Sequence, residues 1–183
     1  LSIQATRHPL FDADRLMEEV RTFADLSSHI VKEIEIKREG EWGKRLLAER
    51  VMIGKVMETF MERAPKEVSA ALPMSKGRGA DLSKHPGAEK LEMAKRYVRL
   101  VAGSRTFAAA ASFAAKQKTT DDELGTLLKR FNEDVLKALK ANLQDAVANA
   151  QFQFCAELTA VLFSEEEAEL FRRRGRAALS AAA

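Results

Sequence analysis

The stretch TTDDELGTLLKRFNEDVLKALKANLQDAVANAQFQFCAELTAVLF, from Thr119 to Phe163, decides the predicted fold. It contains no proline and only one glycine, Gly125, so its composition favours an unbroken helix. Apolar residues recur about every 3.7 residues, which exceeds the coiled-coil repeat of 3.5 and predicts a nearly straight helix in a bundle. The series is Leu124, Leu128, Phe131, Val135, Leu139, Leu143, Val147, Ala150, Phe154, Leu158 and Val161.

Two capping signals delimit this predicted fourth helix. Thr120 with Glu123 three residues later has the spacing of a capping box and predicts its start. Ser164 with Glu167 repeats that spacing and predicts the start of a short C-terminal helix. We call this single predicted helix the spine, and the alternative to it is a kink near Asn142 or Asn149.

Three helices are predicted upstream of the spine. The first runs from Asp12 to Glu39, with Asp12 or Asp14 as its cap and Leu16, Val20, Phe23, Ile30 and Ile34 as its apolar stripe. The second runs from Glu41 to Arg63 and should be broken by Pro65, after which a short turn of helix can continue through Lys66 to Leu72. Its apolar stripe is Trp42, Leu46, Ile53, Met57 and Phe60. The third runs from Ala88 to Lys118 and places Ala108, Ala111 and Ala115 on one face that another helix can approach closely.

The sequence therefore predicts an all-α protein, a bundle of four main helices plus a short C-terminal helix. Residues 1–183 are expected to form a single helical domain. A long loop at about 73–87 should separate two helical halves, because its proline, glycine and serine content disfavours helix. No segment alternates with the period of two that is typical of strands.

Charge is unevenly distributed along the chain, whose net charge is +3. Residues 73–118 hold 10 basic and only 3 acidic side chains. In one interpretation, acidic groups of the first and fourth helices neutralise this basic block within the fold. In the other, the block faces nucleic acid, an acidic protein surface or anionic lipid headgroups. The candidate partner-binding residues are Lys76, Arg78, Lys84, Lys95, Arg96 and Arg99.

Signals for catalysis are weak. His8, His29 and His85 stand apart from carboxylates at metal-binding spacing, and His29 is interpreted as a hydrogen-bonded structural histidine. Cys155 is interpreted as a small core residue, because no histidine is placed to activate it. We therefore predict no catalytic, cofactor-binding or metal-binding residue.

The predicted function is that of a non-enzymatic helical interaction or assembly protein, with a protein partner or a homo-oligomer. The alternatives are a nucleic-acid-associated or regulatory protein that uses the 73–118 block, and an enzyme without a recognisable motif. The methionine and aromatic residues of the second helix (Met52, Met57, Phe60 and Met61) are interpreted as core, with a malleable partner groove as the alternative.

No apolar run is long enough to span a membrane. The single cysteine favours a reducing compartment, and because the chain begins with Leu1, a processed organellar form stays among the expectations.

Overall fold

A computed structural model describes residues 12–33, 37, 39–72, 74–75, 79–80, 86–141 and 146–180. In this part of the chain the fold is all-α, with six helices and one very short hairpin. The elements are α1 Ala13–Glu33, α2 Glu41–Ala71, β1 Met74–Ser75, β2 Gly79–Ala80, α3 Ala88–Ser104, α4 Ala114–Ala141, α5 Ala146–Leu162 and α6 Glu165–Ser180.

The first helix begins where the sequence predicts. The Asp12 side chain accepts a hydrogen bond from the backbone N–H of Arg15 at 3.0 Å, as an N-terminal cap does. Leu16 and Val20 are buried as predicted, but Ile30 is exposed, and Ile34 lies outside the described residues.

The prediction that Pro65 ends the second helix is wrong. Helix α2 passes through Pro65 and continues to Ala71. Proline cannot donate to the carbonyl of Met61 four residues earlier, but the hydroxyl of Thr120 donates to that carbonyl at 3.4 Å. A neighbouring helix thus supplies the hydrogen bond that the proline removes. Ile53, Met57 and Phe60 of the predicted stripe are buried, whereas Trp42 and Met52 are exposed.

The third helix is shorter than predicted. Helix α3 ends at Ser104, and turns occupy residues 105–112 before α4 begins at Ala114. Ser112 has a φ of 65°, and the N–H groups of Ser112 and Phe113 bond the carbonyls of Ala109 and Ala108. These two bonds form a Schellman motif, a helix-ending turn that usually contains glycine at the left-handed position. The motif could not be recognised in the sequence, because serine occupies that position.

The continuous spine is also wrong, because the stretch from Thr119 to Phe163 contains two helices. The side-chain amide of Asn132 on α4 donates to the hydroxyl of Thr159 on α5 at 3.0 Å. In one straight helix these residues would lie about 40 Å apart, so α4 and α5 are separate helices that lie side by side. The predicted cap Thr120 lies inside α4 and is buried, whereas the Ser164 cap is confirmed by its hydrogen bond from the N–H of Glu167 at 3.2 Å.

The core lies where α2, α3, α4 and α5 meet, and α2 packs most extensively on α3. Phe131, Leu139 and Phe154 of the predicted apolar series are all buried there. Within the predicted 73–87 loop, β1 and β2 pair antiparallel, with Met74 opposite Ala80 and Ser75 opposite Gly79. Strands of two residues are too short to produce an alternating sequence pattern.

Candidate interaction surface

The three candidate residues of the predicted basic block that lie on α3, Lys95, Arg96 and Arg99, all have carboxylate partners. Lys95 pairs with Glu157 of α5. Arg99 lies 3.3 Å from a carboxylate oxygen of Asp14 on α1 and 3.8 Å from one of Glu92. Acidic groups from the first helix and from the predicted fourth helix therefore reach this block, as the first interpretation of its charge expected.

Two further basic residues of the block are also paired. Arg96 lies 3.1 Å from Glu92, one helical turn away. Arg105 donates to both carboxylate oxygens of Asp121, at 2.6 and 2.7 Å, and to the carbonyl of Leu162. The hydrogen bond to Asp121 raises the pKa of the Arg105 guanidinium, and this effect outweighs the lowering of the pKa by partial burial. Binding of an anionic partner by Lys95, Arg96 and Arg99 stays a prediction, and such a partner would have to compete with these carboxylates.

The remaining candidates of the block, Lys76, Arg78 and Lys84, lie outside the described residues. The adjoining hairpin is attached to α4, since the backbone N–H of Ala80 donates to the carboxylate of Asp134 at 3.1 Å. The α3 candidates instead contact α1 and α5. The described contacts thus attach the two parts of the predicted block to different helices.

The predicted alanine face does not form one helix face. Ala108 and Ala111 are buried in the turns that follow α3, whereas Ala115 is exposed on α4. A Cβ atom on Gly54 of α2 would lie only 2.9 Å from the carbonyl oxygen of Ala111. The small side chains therefore allow close packing between α2 and this turn within the chain.

Exposed apolar residues are concentrated on residues 19–33 of α1 and residues 41–55 of α2, which together we call the arm. Eight large apolar side chains of the described residues are exposed, and six of them lie on the arm. Trp42, 71% exposed, is the most accessible. The six are Leu26, Ile30, Trp42, Leu47, Val51 and Met52.

On α1, two of these residues form an apolar ridge with acidic ends. Leu26 and Ile30 are one turn apart, so their side chains lie on the same face. Glu19 lies seven residues before Leu26, and Glu33 lies three residues after Ile30, so both glutamates are on this face. Glu19 pairs with Arg15 at 2.9 Å, and Glu33 has no basic partner within the described part of the chain.

On α2, a matching apolar ridge has basic ends. Leu47 and Val51 are one turn apart. Lys44 lies three residues before Leu47, and Lys55 lies four residues after Val51, so both lysines are on the same face. All four side chains are exposed, and neither lysine has a carboxylate partner among the described residues. The α2 ridge is therefore opposite in charge to the α1 ridge.

The two ridges do not contact each other in this chain. Helices α1 and α2 meet through Ser28 and Arg50, with 3.0 Å between the serine hydroxyl and the guanidinium. Ser28 is two residues from both Leu26 and Ile30, so it projects from roughly the opposite side of α1. The α1 ridge thus faces away from α2 and is open to another molecule.

Other candidate residues give no sign of a reactive centre. Cys155 is buried, and this burial raises the pKa of its thiol far above the usual value, which opposes formation of a nucleophilic thiolate. His29 is exposed, which corrects its interpretation as a structural histidine, while His8 and His85 lie outside the described residues. No group of three metal-ligating side chains occurs in the described part of the chain.

None of the helices in the described residues is both long and apolar enough to cross a membrane. Comparison with protein-family models, curated protein sequences and solved structures gave no significant match.

The sequence does not separate the two ridges from the core, because the most regular stripe on each helix predicts the core, and on α1 that stripe includes the exposed Ile30. On α2, Ile53 and Met57 belong to that buried stripe, and Leu47 and Val51 repeat the same spacing on a second face. A second apolar face on a helix that already has one is the signal that could have identified them.

Proposed function

We propose that this protein is a non-enzymatic helical assembly protein that binds a second copy of itself through the arm. The observation that carries the proposal is the presence, on one chain, of two exposed apolar ridges with opposite charges at their ends. Such ridges are complementary to each other but cannot meet within the chain, whereas they can meet between two copies.

A two-fold symmetric pair satisfies both ridges at once. In such a pair, the α1 ridge of each copy lies on the α2 ridge of the other, because a two-fold axis makes every contact occur twice. Leu26 and Ile30 then pack against Leu47 and Val51, and Glu33 approaches a lysine. Burial of apolar surface supplies the affinity, while the charges favour the pairing of unlike ridges over the pairing of like ridges.

The ridge contact is smaller than a standard interface, which buries about 800 Å² per partner. Trp42 is also exposed, but it is nine residues from Val51 and therefore projects from the opposite side of α2. We therefore expect a weak dimer in which Trp42 is not a main contact.

Molar mass in solution, measured by light scattering after size-exclusion chromatography, tests this proposal with a matched pair of variants. Leu26 and Leu170 are both leucines, and each is 55% exposed, but only Leu26 belongs to a ridge. Leu26→Glu should convert the dimer to a monomer, whereas Leu170→Glu on α6 should leave the dimer intact. Equal behaviour of the two variants, or a wild-type protein that is monomeric at its highest soluble concentration, would contradict the proposal.

A further inference from the structure

His29 is an exposed histidine on the same part of α1 as the α1 ridge. It lies three residues after Leu26, so its side chain projects about 60° around the helix from that leucine, beside the ridge. Histidine is the side chain that ordinarily changes its charge between pH 5 and 8. A change of pH in this range therefore adds or removes a positive charge at the edge of the ridge.

Two carboxylates flank His29 within α1. Asp25 lies four residues before it and Glu33 four residues after it, the spacing at which side chains of a helix meet. Both are exposed, and neither has a basic partner among the described residues. Lys32, three residues after His29, is the other charged group within one turn. A protonated His29 can pair with either carboxylate, whereas a neutral one cannot form an ion pair.

The helices that pack on α1 bring their charges to other sides of it. Helix α2 contributes Arg50 at Ser28, and Ser28 projects about 100° around α1 from His29. Helix α3 contributes Arg99, which pairs with Asp14 near the start of α1. Neither contact places a charged group against the imidazole, so the residues of its own helix determine its surroundings within one chain.

In the proposed dimer, the α2 ridge of a second copy lies against the α1 ridge and brings further charges. Lys44 and Lys55 lie on that face of α2, and the half-buried Glu58 follows three residues after Lys55, so the face stays positive overall. A protonated His29 would add a like charge opposite these lysines. It would also compete with them for Glu33. Both effects oppose association, and a two-fold axis makes each occur twice.

We propose that the arm is a pH-sensitive contact, in which two copies associate when His29 is neutral and separate as it becomes protonated. This inference rests on the proposed dimer. Because the separated chains bind the proton better than the dimer does, association releases protons and strengthens as the pH rises. Surface charge contacts are individually weak, so we expect a graded change in affinity of about threefold to tenfold.

Sedimentation equilibrium of the full chain at pH 8.0 and pH 5.5, at one ionic strength, tests the inference. Aspartate, glutamate and lysine ordinarily keep their charges across this range, so the histidines are the groups that titrate. The dimer Kd should be about threefold to tenfold higher at pH 5.5. His29→Gln should reduce the change to less than about twofold. The matched control, His8→Gln with His85→Gln, should keep the pH dependence of the wild type.

The outcomes separate this inference from the assembly proposal. A dimer with the same Kd at both pH values, a dimer that is tighter at pH 5.5, or a pH dependence that persists in His29→Gln would overturn the pH sensitivity and leave the dimer standing. A wild-type protein that stays monomeric at pH 8.0 would overturn the dimer and this inference together. Because His29 is exposed, its replacement by glutamine should leave the helical circular dichroism unchanged.

Discussion

The hydroxyl of Thr120 on α4 donates to the carbonyl of Met61 on α2, the carbonyl that Pro65 leaves without its helical partner. Their oxygen atoms are 3.4 Å apart, and Thr120 is buried. One hydroxyl therefore allows α2 to continue past a proline, and it also joins the two helices at that point.

Replacement of Thr120 by valine should destabilise the protein by about 1–3 kcal/mol, because it leaves the Met61 carbonyl buried without a donor. Thr119→Val is the matched control. Thr119 is exposed, its hydroxyl bonds only to the Ala115 carbonyl of its own helix, and its loss should change stability by less than about 0.5 kcal/mol. Urea denaturation followed by circular dichroism measures both. Equal losses would mean that the Thr120 bond to Met61 adds nothing.

A double-mutant cycle tests the role of Pro65 directly. Pro65→Ala restores an N–H group that can donate to the Met61 carbonyl within α2. In that background Thr120→Val should cost clearly less than in the wild type, and the coupling should be at least about 0.5 kcal/mol. Additive effects would show that Thr120 acts through some other contact.

Two helical glycines should respond in opposite ways to alanine. At Gly125 a Cβ atom would lie 3.4 Å from the Phe163 ring, an ordinary contact, so alanine should stabilise α4 by up to about 1 kcal/mol. At Gly54 the Cβ atom would lie 2.9 and 3.1 Å from the carbonyl oxygens of Ala111 and Ser112. There the clash should outweigh the gain in helix propensity and destabilise by about 1–3 kcal/mol. Thermal unfolding of the two variants should show shifts of opposite sign.

The sequence predicted the helical class and much of the core, because periodic burial leaves a direct pattern in the chain. Phe131 and Leu139 are examples of that success. The turn at Ser112 that separates α3 from α4 and the continuation of α2 through Pro65 could not be predicted. Both depend on tertiary contacts, with Gly54 beneath the turn and Thr120 opposite the proline, and those contacts join residues far apart in sequence.

Phe131 lies fully buried on α4, and its replacement by alanine should cost about 3–5 kcal/mol. The physical reason is the combined loss of apolar burial and of close packing around the ring. Leu170→Ala, at an exposed position on α6, should cost less than about 0.5 kcal/mol. Chemical denaturation of both variants provides the measurement, and a loss below about 1 kcal/mol at Phe131 would contradict the described packing of α4.

Cys155 should resist thiol reagents in the native protein. Its burial excludes the reagent and raises the pKa of the thiol, so almost no thiolate forms at pH 8. Alkylation by iodoacetamide, followed by intact mass, should be negligible without denaturant and complete in guanidinium chloride. Rapid labelling of the folded protein would restore Cys155 as a candidate nucleophile.

The candidate surface was harder to predict than the fold. The partner groove that the sequence offers as an alternative includes Met52, which is exposed, but the sequence pattern does not distinguish Leu26 and Leu47. Charge density points instead to Lys95 and Arg99, whose carboxylate partners come from elements distant in sequence. Periodicity shows that a side chain lies on a helix face but does not show whether another helix covers that face.

In the proposed dimer, the acidic-ended ridge on α1 binds the basic-ended ridge on α2 of a second copy. Sedimentation equilibrium on a set of charge variants measures whether these charges hold the two copies together. Changing Lys44 and Lys55 to Glu should weaken the dimer at least about tenfold, because like charges would then face each other. Changing Glu19 and Glu33 to Lys should do the same, and all four changes together should restore association, because the charges are again complementary. A four-substitution variant that associates no better than either pair alone would contradict the claim.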